Sequence, residues 1–208
     1  MIRLLSALLI LIAPLARAGG TPGEFDYYVL SLSWSPNWCR LEGRARNSPQ
    51  CDEDFGWVLH GLWPQYERGW PSQCQTAERN PSRADTAAQA DLFGSSGSAW
   101  HQWNKHGRCS GLSSRDYYRL AAEAYARITR PEVFRKLTDP VSLPAGVVEE
   151  AFLKSNPDLS ARGVTVTCKD RHIQEVRICL TRDLEPRDCG VDVMRDCALS
   201  DAYFAPIE

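Results

Sequence analysis

The chain has 208 residues, with 24 basic side chains, 26 acidic side chains and four histidines, so its formal net charge is −2 at pH 7. This length supports one domain with a sizeable hydrophobic core. The slightly acidic balance excludes a protein that attracts a polyanion through its overall field, so any affinity for nucleic acid must come from a local cationic cleft.

The first eighteen residues have the organisation of a secretory signal peptide. A basic start at Arg3 precedes an apolar run over residues 4–15, and residues 16–18 form an A-x-A cleavage site. The run is too short to span a membrane comfortably, which favours cleavage over a membrane anchor or a buried helix. The mature chain then begins near Gly19, has 22 basic and 26 acidic side chains, and is exported to a periplasm or the extracellular space.

Two strands are predicted in the N-terminal third, over residues 25–34 and 55–59, and the second places His60 at its end. Residues 64–98, with several Pro, Gly, Ser and Asn, predict a long irregular stretch broken by a short helix over residues 84–92. A loop of that length in a compact domain suggests that it shapes a cleft.

The middle of the chain predicts helices, and the C-terminal third predicts strands. Residues 113–116 form a capping box before an amphipathic helix. Further helices are predicted over residues 131–137 and 145–153, and residues 163–168 and 173–180 alternate like paired strands. This order indicates an α+β fold, in which helices pack against an antiparallel sheet within a single domain.

All eight cysteines lie after the signal segment. An even number in an exported chain argues for four disulfides that staple the domain. A zinc site is the weaker alternative, because no CxxC pair occurs and the spacings are irregular. The cysteines alone do not fix the pairing.

Three of the four histidines lie in two aromatic-rich segments, at residues 57–64 (WVLHGLWP) and 100–109 (WHQWNKHGRC). If residues 100–107 form a helix, Trp103 points into the core and four polar side chains share about 140° of one face: His101, Gln102, Lys105 and His106. A neutral imidazole can accept a proton while a charged one donates, and a lysine can hold an anion between them. A lone histidine is usually structural, but this constellation has no packing rationale and predicts a general acid/base site.

These two segments resemble the HGLWP and HEWxKHGxC signatures of the ribonuclease T2 family. The first is complete at residues 60–64, and residues 30–39 (LSLSWSPNWC) resemble the family's first strand, so the likeness covers nearly the whole mature chain. The second signature matches at His101, Trp103, Lys105, His106, Gly107 and Cys109. The chain is therefore identified as a member of this family of secreted, metal-independent endoribonucleases.

The resemblance implies a reaction in which single-stranded RNA supplies its own nucleophile. The 2′-hydroxyl attacks the adjacent phosphodiester, giving a 2′,3′-cyclic phosphate and a 5′-hydroxyl, and slower hydrolysis then gives a 3′-phosphate. By the same resemblance His106 is the base and His60 the acid. His101 and Lys105 hold the phosphate. No metal or other cofactor is implied. DNA should not be cleaved, because it lacks the 2′-hydroxyl. No membrane partner is expected after signal cleavage, and the enzyme is expected to be a monomer.

The resemblance also implies how the cysteines pair. Three bridges follow from it directly, and the fourth follows by exclusion. The bridges are Cys74 with Cys109, Cys168 with Cys197, Cys179 with Cys189, and Cys39 with Cys51.

Gln102 is the main departure, because the family has glutamate there. A glutamate can relay a proton or hold an imidazolium, whereas a glutamine can only hydrogen-bond to a phosphoryl oxygen. Losing the carboxylate also lowers the pKa of neighbouring histidines. Two outcomes compete: a working enzyme with an altered rate and pH range, which the complete set of base, acid and lysine favours, or a weakened nuclease kept for binding. Arg108 either adds a compensating cation or is a solvated side chain.

Three aromatic side chains that flank the signatures are candidates for stacking on splayed bases, a mode that tolerates any base. They are Tyr66, Trp70 and Trp100, whereas Trp34, Trp57 and Trp103 are assigned to packing.

Two rival classes stay open. One is a non-catalytic RNA-binding module, and the other is a metal-dependent hydrolase that uses the three histidines with Cys109. The second is opposed by the lack of an acidic ligand pair and by the disulfide expected at Cys109.

Overall fold

Six strands form one sheet in the computed structural model, which describes residues 19–207. The predicted signal peptide, residues 1–18, lies outside the described residues. Within residues 19–207, no helix is long and apolar enough to cross a membrane. The strands are β1 (Tyr27–Trp34), β2 (Trp57–Gln65), β3 (Val141–Leu143), β4 (Val164–Lys169), β5 (His172–Leu180) and β6 (Ala202–Phe204).

The sheet order is β2-β1-β5-β6-β3, with β4 also paired to β5. The pairings are antiparallel except for one parallel contact between His172 of β5 and Tyr203 of β6. The α+β class and the disulfide-stapled sheet-and-helix domain are confirmed, and the predicted antiparallel sheet holds apart from this contact. β3 and β6 were not predicted, since three residues are too few for an alternating pattern.

Within residues 19–207, six α-helices and several short 3₁₀ and π turns accompany the sheet. The helix predicted over residues 84–92 is two short helices, and the one predicted over residues 131–137 is the 3₁₀ helix Glu132–Lys136. The serine at residue 113 caps its helix as predicted, accepting the Asp116 N–H at 3.2 Å. The α-helices are α1 (Ser35–Trp38), α2 (Arg83–Ala87), α3 (Ala90–Phe93), α4 (Ser96–Lys105), α5 (Ser114–Arg127) and α6 (Ala145–Ser155).

The main hydrophobic core lies between one face of the sheet and the helices. Trp34, Trp57 and Trp103 are buried within it, which confirms their assignment to packing. On the other face, a smaller apolar cluster joins β1 and β5 to the C-terminal segment through Val29, Cys179 and Val193. The two faces of the central strands are therefore both covered, and polar groups on the second face have restricted access to water.

All four predicted disulfides are present, and no cysteine in the described chain is free. Each bridge of this kind typically stabilises a fold by about 2–4 kcal/mol. The Cys74–Cys109 bridge bears most directly on the cleft, because Cys74 belongs to the long loop after β2 and Cys109 is the last residue of the second histidine segment. It is reinforced where the Gln73 N–H donates to the Lys105 carbonyl at 2.8 Å.

Candidate active site

His60 lies at a β-bulge in the middle of β2. Ser31 pairs with Gly61 and Leu32 pairs with Leu59, so His60 is the extra residue between two consecutive pairs. The prediction that a strand ends just before His60 was wrong, because β2 continues to Gln65. A bulge bends its strand and redirects a side chain, and here the His60 ring lines a cleft and is 39% exposed.

The remaining predicted polar residues come from α4 and the turn after it. Ser95 caps this helix by accepting the Ser98 N–H at 3.1 Å. The helix ends at Lys105, two residues before the predicted end, and His106 follows with φ −119° and ψ −47°. The His106 N–H still donates to the Gln102 carbonyl at 3.0 Å, so the ring position is fixed by the last helical turn.

The five predicted catalytic residues all line one cavity of about 300 Å³. They are His60, His101, Gln102, Lys105 and His106. Trp63, Trp70 and Asp192 form parts of its other walls. A second cavity, of about 460 Å³, extends from His60, His101 and Gln102 towards Arg46 and Ser98. His60 and His101 therefore line both of these open cavities, and His106 lines the first.

The Trp63 side chain connects the two histidine segments. Its ring stacks on His106, with centroids 5.1 Å apart and an interplanar angle of 24°, and the His60 ring meets it edge-on at 5.2 Å. The Trp63 Nε1–H donates to Gln102 Oε1 at 2.8 Å. A Cβ at Gly61 would lie 2.1 Å from Trp63 Nε1 and 2.3 Å from Gln102 Oε1, so this hydrogen bond requires a glycine at that position.

His106 is buried and electrostatically biased towards the neutral imidazole. Burial, reinforced by the positive charge of Lys105 and by the other two site histidines, lowers the pKa of His106 to about 2. Its Nδ1 is buried and has no hydrogen-bond partner among the described residues. Burial and Lys105 also lower the pKa of the more exposed His101. The His106 ring is therefore in the neutral state that a general base requires.

An ion pair on β5 completes the site and was missed from the sequence. The His60 Nδ1–H donates to Glu175 Oε1 at 2.5 Å, and Arg177 donates to Glu175 Oε2 through Nε at 2.8 Å and Nη2 at 2.7 Å. Burial alone would raise the pKa of Glu175, but His60 and Arg177 lower it to about 2. The only signal in the sequence is two charged residues inside an apolar strand, which the alternating pattern assigns to a solvated face.

The predicted substrate-binding residues are less closely grouped. Trp70 lines the first cavity and is 57% exposed. Tyr66 packs against the main core, and Trp100 is 45% exposed on α4. Arg108 donates to Asn104 Oδ1 at 3.3 Å. Within residues 19–207, Tyr66, Trp100 and Arg108 line neither of the two cavities that meet at the histidines.

No group of three or more His, Cys, Asp or Glu side chains in the described part of the chain has the arrangement of a metal site. Cys109, a ligand in the metal-dependent alternative, is in a disulfide. Its sulfur is therefore not available as a thiolate.

Comparison with known proteins identifies the family of this chain. The sequence model of the ribonuclease T2 family matches residues 25–189. The chain belongs to the ribonuclease T2 family. Among relatives, a ribonuclease of Aeromonas hydrophila is 46% identical over 107 residues, which cover 51% of this chain and 48% of the relative. The chain spans about half the length of the first relatives that it matches.

Solved structures show the same fold. An RNase-related protein from Calystegia sepium superposes with a TM-score of 0.70 at 19% identity, covering 89% of this chain and 99% of that one. RNase NT, solved in complex with 5′-AMP, superposes with a TM-score of 0.65 at 21% identity, covering 88% of this chain and 99% of that one. At these identities the likeness supports the fold alone.

Proposed function

We propose that this protein is an endoribonuclease that cleaves single-stranded RNA by attack of a 2′-hydroxyl on the adjacent phosphodiester. The observation that carries the proposal is that His60 and His106 both contact Trp63 and line one cavity together with Lys105. Two imidazoles beside a cation provide a base, an acid and a binding group for an anion. Membership of the ribonuclease T2 family supports this reaction class.

His106 acts as the general base in this reaction. The ring is neutral at working pH, which is the protonation state in which a histidine can accept the 2′-hydroxyl proton. His60, whose ring meets Trp63 edge-on, acts as the general acid. It transfers a proton to the leaving 5′-oxygen as the bond from phosphorus to that oxygen breaks. The RNA provides the nucleophile, so catalysis consists of proton transfer, positioning and charge stabilisation.

The phosphate is held by His101 and Lys105, which face the cavity from successive turns of α4. Gln102 adds a neutral donor. Its Oε1 already accepts the Trp63 N–H, so its Nε2–H₂ is the group left for a phosphoryl oxygen. The glutamine is therefore compatible with a working enzyme. No observation favours the alternative, in which the protein is a weakened nuclease kept for binding.

The cleft suits an extended chain rather than a single nucleotide. His60 and His101 line both cavities, and Trp70 offers an exposed ring to one base in the first of them. Tyr66, Trp100 and Arg108 stay predictions for contacts with flanking nucleotides outside the cavities. Four disulfides support an exported enzyme, in keeping with the signal peptide predicted from the sequence.

A DNA oligonucleotide with one ribonucleotide tests the proposed reaction. The purified protein should cleave it only on the 3′ side of that ribonucleotide and should leave the all-deoxy oligonucleotide intact, because only the ribose carries the nucleophile. His60→Ala is the inactive control. Saturable binding without cleavage would instead indicate an RNA-binding module, and cleavage of the all-deoxy strand would contradict the proposed nucleophile.

A further inference from the structure

We infer that Glu175 and Arg177 form a positioning pair for the general acid: Glu175 fixes the orientation and tautomer of His60, and Arg177 keeps Glu175 ionised. The inference rests on the proposed function for the role of His60 as acid. The geometry that carries it is the direct contact of the buried Glu175 carboxylate with His60 Nδ1, together with the two Arg177 donors on the other carboxylate oxygen.

Glu175 is held in place by the sheet itself. It lies on β5 between Ser33 of β1 and Thr167 of β4, so its backbone is paired on both sides. Its side chain is 3% exposed, which leaves it little rotational freedom. A carboxylate on the central strand is a more rigid support for an imidazole than one on a loop. His60 needs such support, because its own backbone lies at a bulge.

The contact also determines which nitrogen of His60 carries the permanent proton. An ionised carboxylate only accepts hydrogen bonds, so Nδ1 must be protonated in both charge states of the ring. Nε2 is then the nitrogen that exchanges protons. In the cleavage step the Nε2 proton moves to the 5′-oxygen as the phosphorus–oxygen bond breaks, and the neutral ring keeps its Nδ1–H bond to Glu175. No tautomer exchange is required before the next turnover.

Arg177 makes an ionised carboxylate tolerable at this buried position. A buried charge without a partner is costly, and removing one member of a buried pair destabilises a protein strongly. Arg177 supplies two donors to Oε2 and leaves Oε1 for His60. Its guanidinium also lies 5.3 Å from the centre of the Trp63 ring. The pair therefore contacts both His60 and the aromatic side chain that stacks on His106.

Other charged groups also surround His60, and none of them replaces Glu175. The charged and titratable groups on α4 and the turn after it are a lysine and two histidines, which are cationic or become cationic on protonation. On the segment after β1, Glu42 is already paired with Arg46 and Lys169. Within the described chain, Glu175 is the one acidic group in hydrogen-bond contact with the His60 ring. The neighbouring groups are His101, Lys105, His106, Arg177, Glu42, Arg46 and Asp192, and the Asp192 carboxylate accepts the Gly69 N–H at 2.6 Å.

The test compares Glu175→Gln with the wild type and with Glu123→Gln, which removes a surface partner of Arg127. Glu175→Gln should lower kcat about 100-fold, because the acid loses its orienting charge. KM should change by less than about threefold. The alkaline limb of the kcat profile should move to lower pH, because the charge that balances the His60 imidazolium is gone. Glu175→Asp keeps a carboxylate and should return the alkaline limb most of the way to its wild-type pH.

Wild-type kcat and an unmoved alkaline limb in Glu175→Gln would overturn the inference. So would a loss of kcat that Glu175→Asp fails to recover while both variants keep the wild-type fold, since that result indicates a structural role only. Glu123→Gln should match the wild type throughout.

A second measurement does not depend on activity or on the variants folding. Imidazole ¹⁵N NMR of the wild type, which has four histidines, should show neutral His60 protonated at Nδ1. Protonation at Nε2 instead would overturn the inference. If the wild type cleaves no RNA, the proposed function fails, while the NMR result still decides whether Glu175 sets the His60 tautomer.

Discussion

The neutral state of His106 should be visible in how the stability of the protein depends on pH. Its folded pKa of about 2 lies far below the ordinary value of 6.5 that the ring regains on unfolding. Between these two values the unfolded chain binds a proton that the folded chain does not. Acid therefore stabilises the unfolded state, and the free energy of unfolding falls as the pH drops from about 6.5 towards 2.

The size of this effect follows from the linkage slope, about 1.4 kcal/mol per pH unit inside the window. Near pH 6 only part of the slope is developed, so the loss attributable to His106 between pH 6 and pH 4 is about 2–3 kcal/mol. Replacement by phenylalanine removes the titration and preserves a ring that can stack on Trp63. The substitution removes no hydrogen bond at His106 Nδ1, because this atom has no partner within residues 19–207.

The assay is equilibrium unfolding in guanidinium chloride at pH 6, 5 and 4, with the disulfides intact and tryptophan fluorescence as the probe. The free energy of unfolding of His106→Phe should fall about 2–3 kcal/mol less than that of the wild type over this range. His172→Phe, which removes an imidazole outside the cleft, is the matched control. Parallel pH profiles for the wild type and His106→Phe would refute the assignment of a buried, neutral His106.

Three further predictions concern the site. His60→Ala should lower kcat at least ~100-fold with little change in KM, because no acid then protonates the leaving 5′-oxygen. Wild-type turnover of this variant in a stopped assay would mean that His60 is not the general acid. Gln102→Glu places a carboxylate near His106 and should raise the pKa of His106. The acidic limb of the kcat profile should therefore move to higher pH. An unmoved limb would mean that residue 102 does not act on His106. Reduction should abolish activity because it breaks all four bridges, including Cys74–Cys109 at the cleft, and each broken bridge should lower the free energy of unfolding by about 2–4 kcal/mol. A mapped free thiol at Cys109 in the unreduced protein would contradict that explanation.

Local periodicity was enough to predict much of the fold. The long elements β1, α5 and β5 each repeat an apolar pattern over eight or more residues, so their existence and approximate bounds follow from the sequence. The helical spacing of the second histidine segment likewise predicts that its polar side chains converge, and those side chains do line one cavity. The resemblance to a family provided the disulfide pairing, which local patterns cannot provide.

The features that were missed depend on contacts between distant parts of the chain. The bulge at His60 exists because β1 pairs with β2 in two registers, and neither strand alone shows this. Glu175 looks like a solvated residue of an alternating strand, but the strands on both sides and the cleft residue His60 make it a buried hydrogen-bond partner. Such pairings appear only when the sheet is assembled.

The central claim is that the RNA's own 2′-hydroxyl, not water, breaks the chain. The most direct test is cleavage of a short RNA in H₂¹⁸O containing EDTA, with mass spectrometry of the products as they form. The first product should be a 2′,3′-cyclic phosphate without ¹⁸O beside a 5′-hydroxyl end, and a single ¹⁸O should enter only in the later 3′-phosphate. Incorporation of ¹⁸O in the first phosphate product, or loss of all cleavage in EDTA with recovery on adding zinc, would contradict the account.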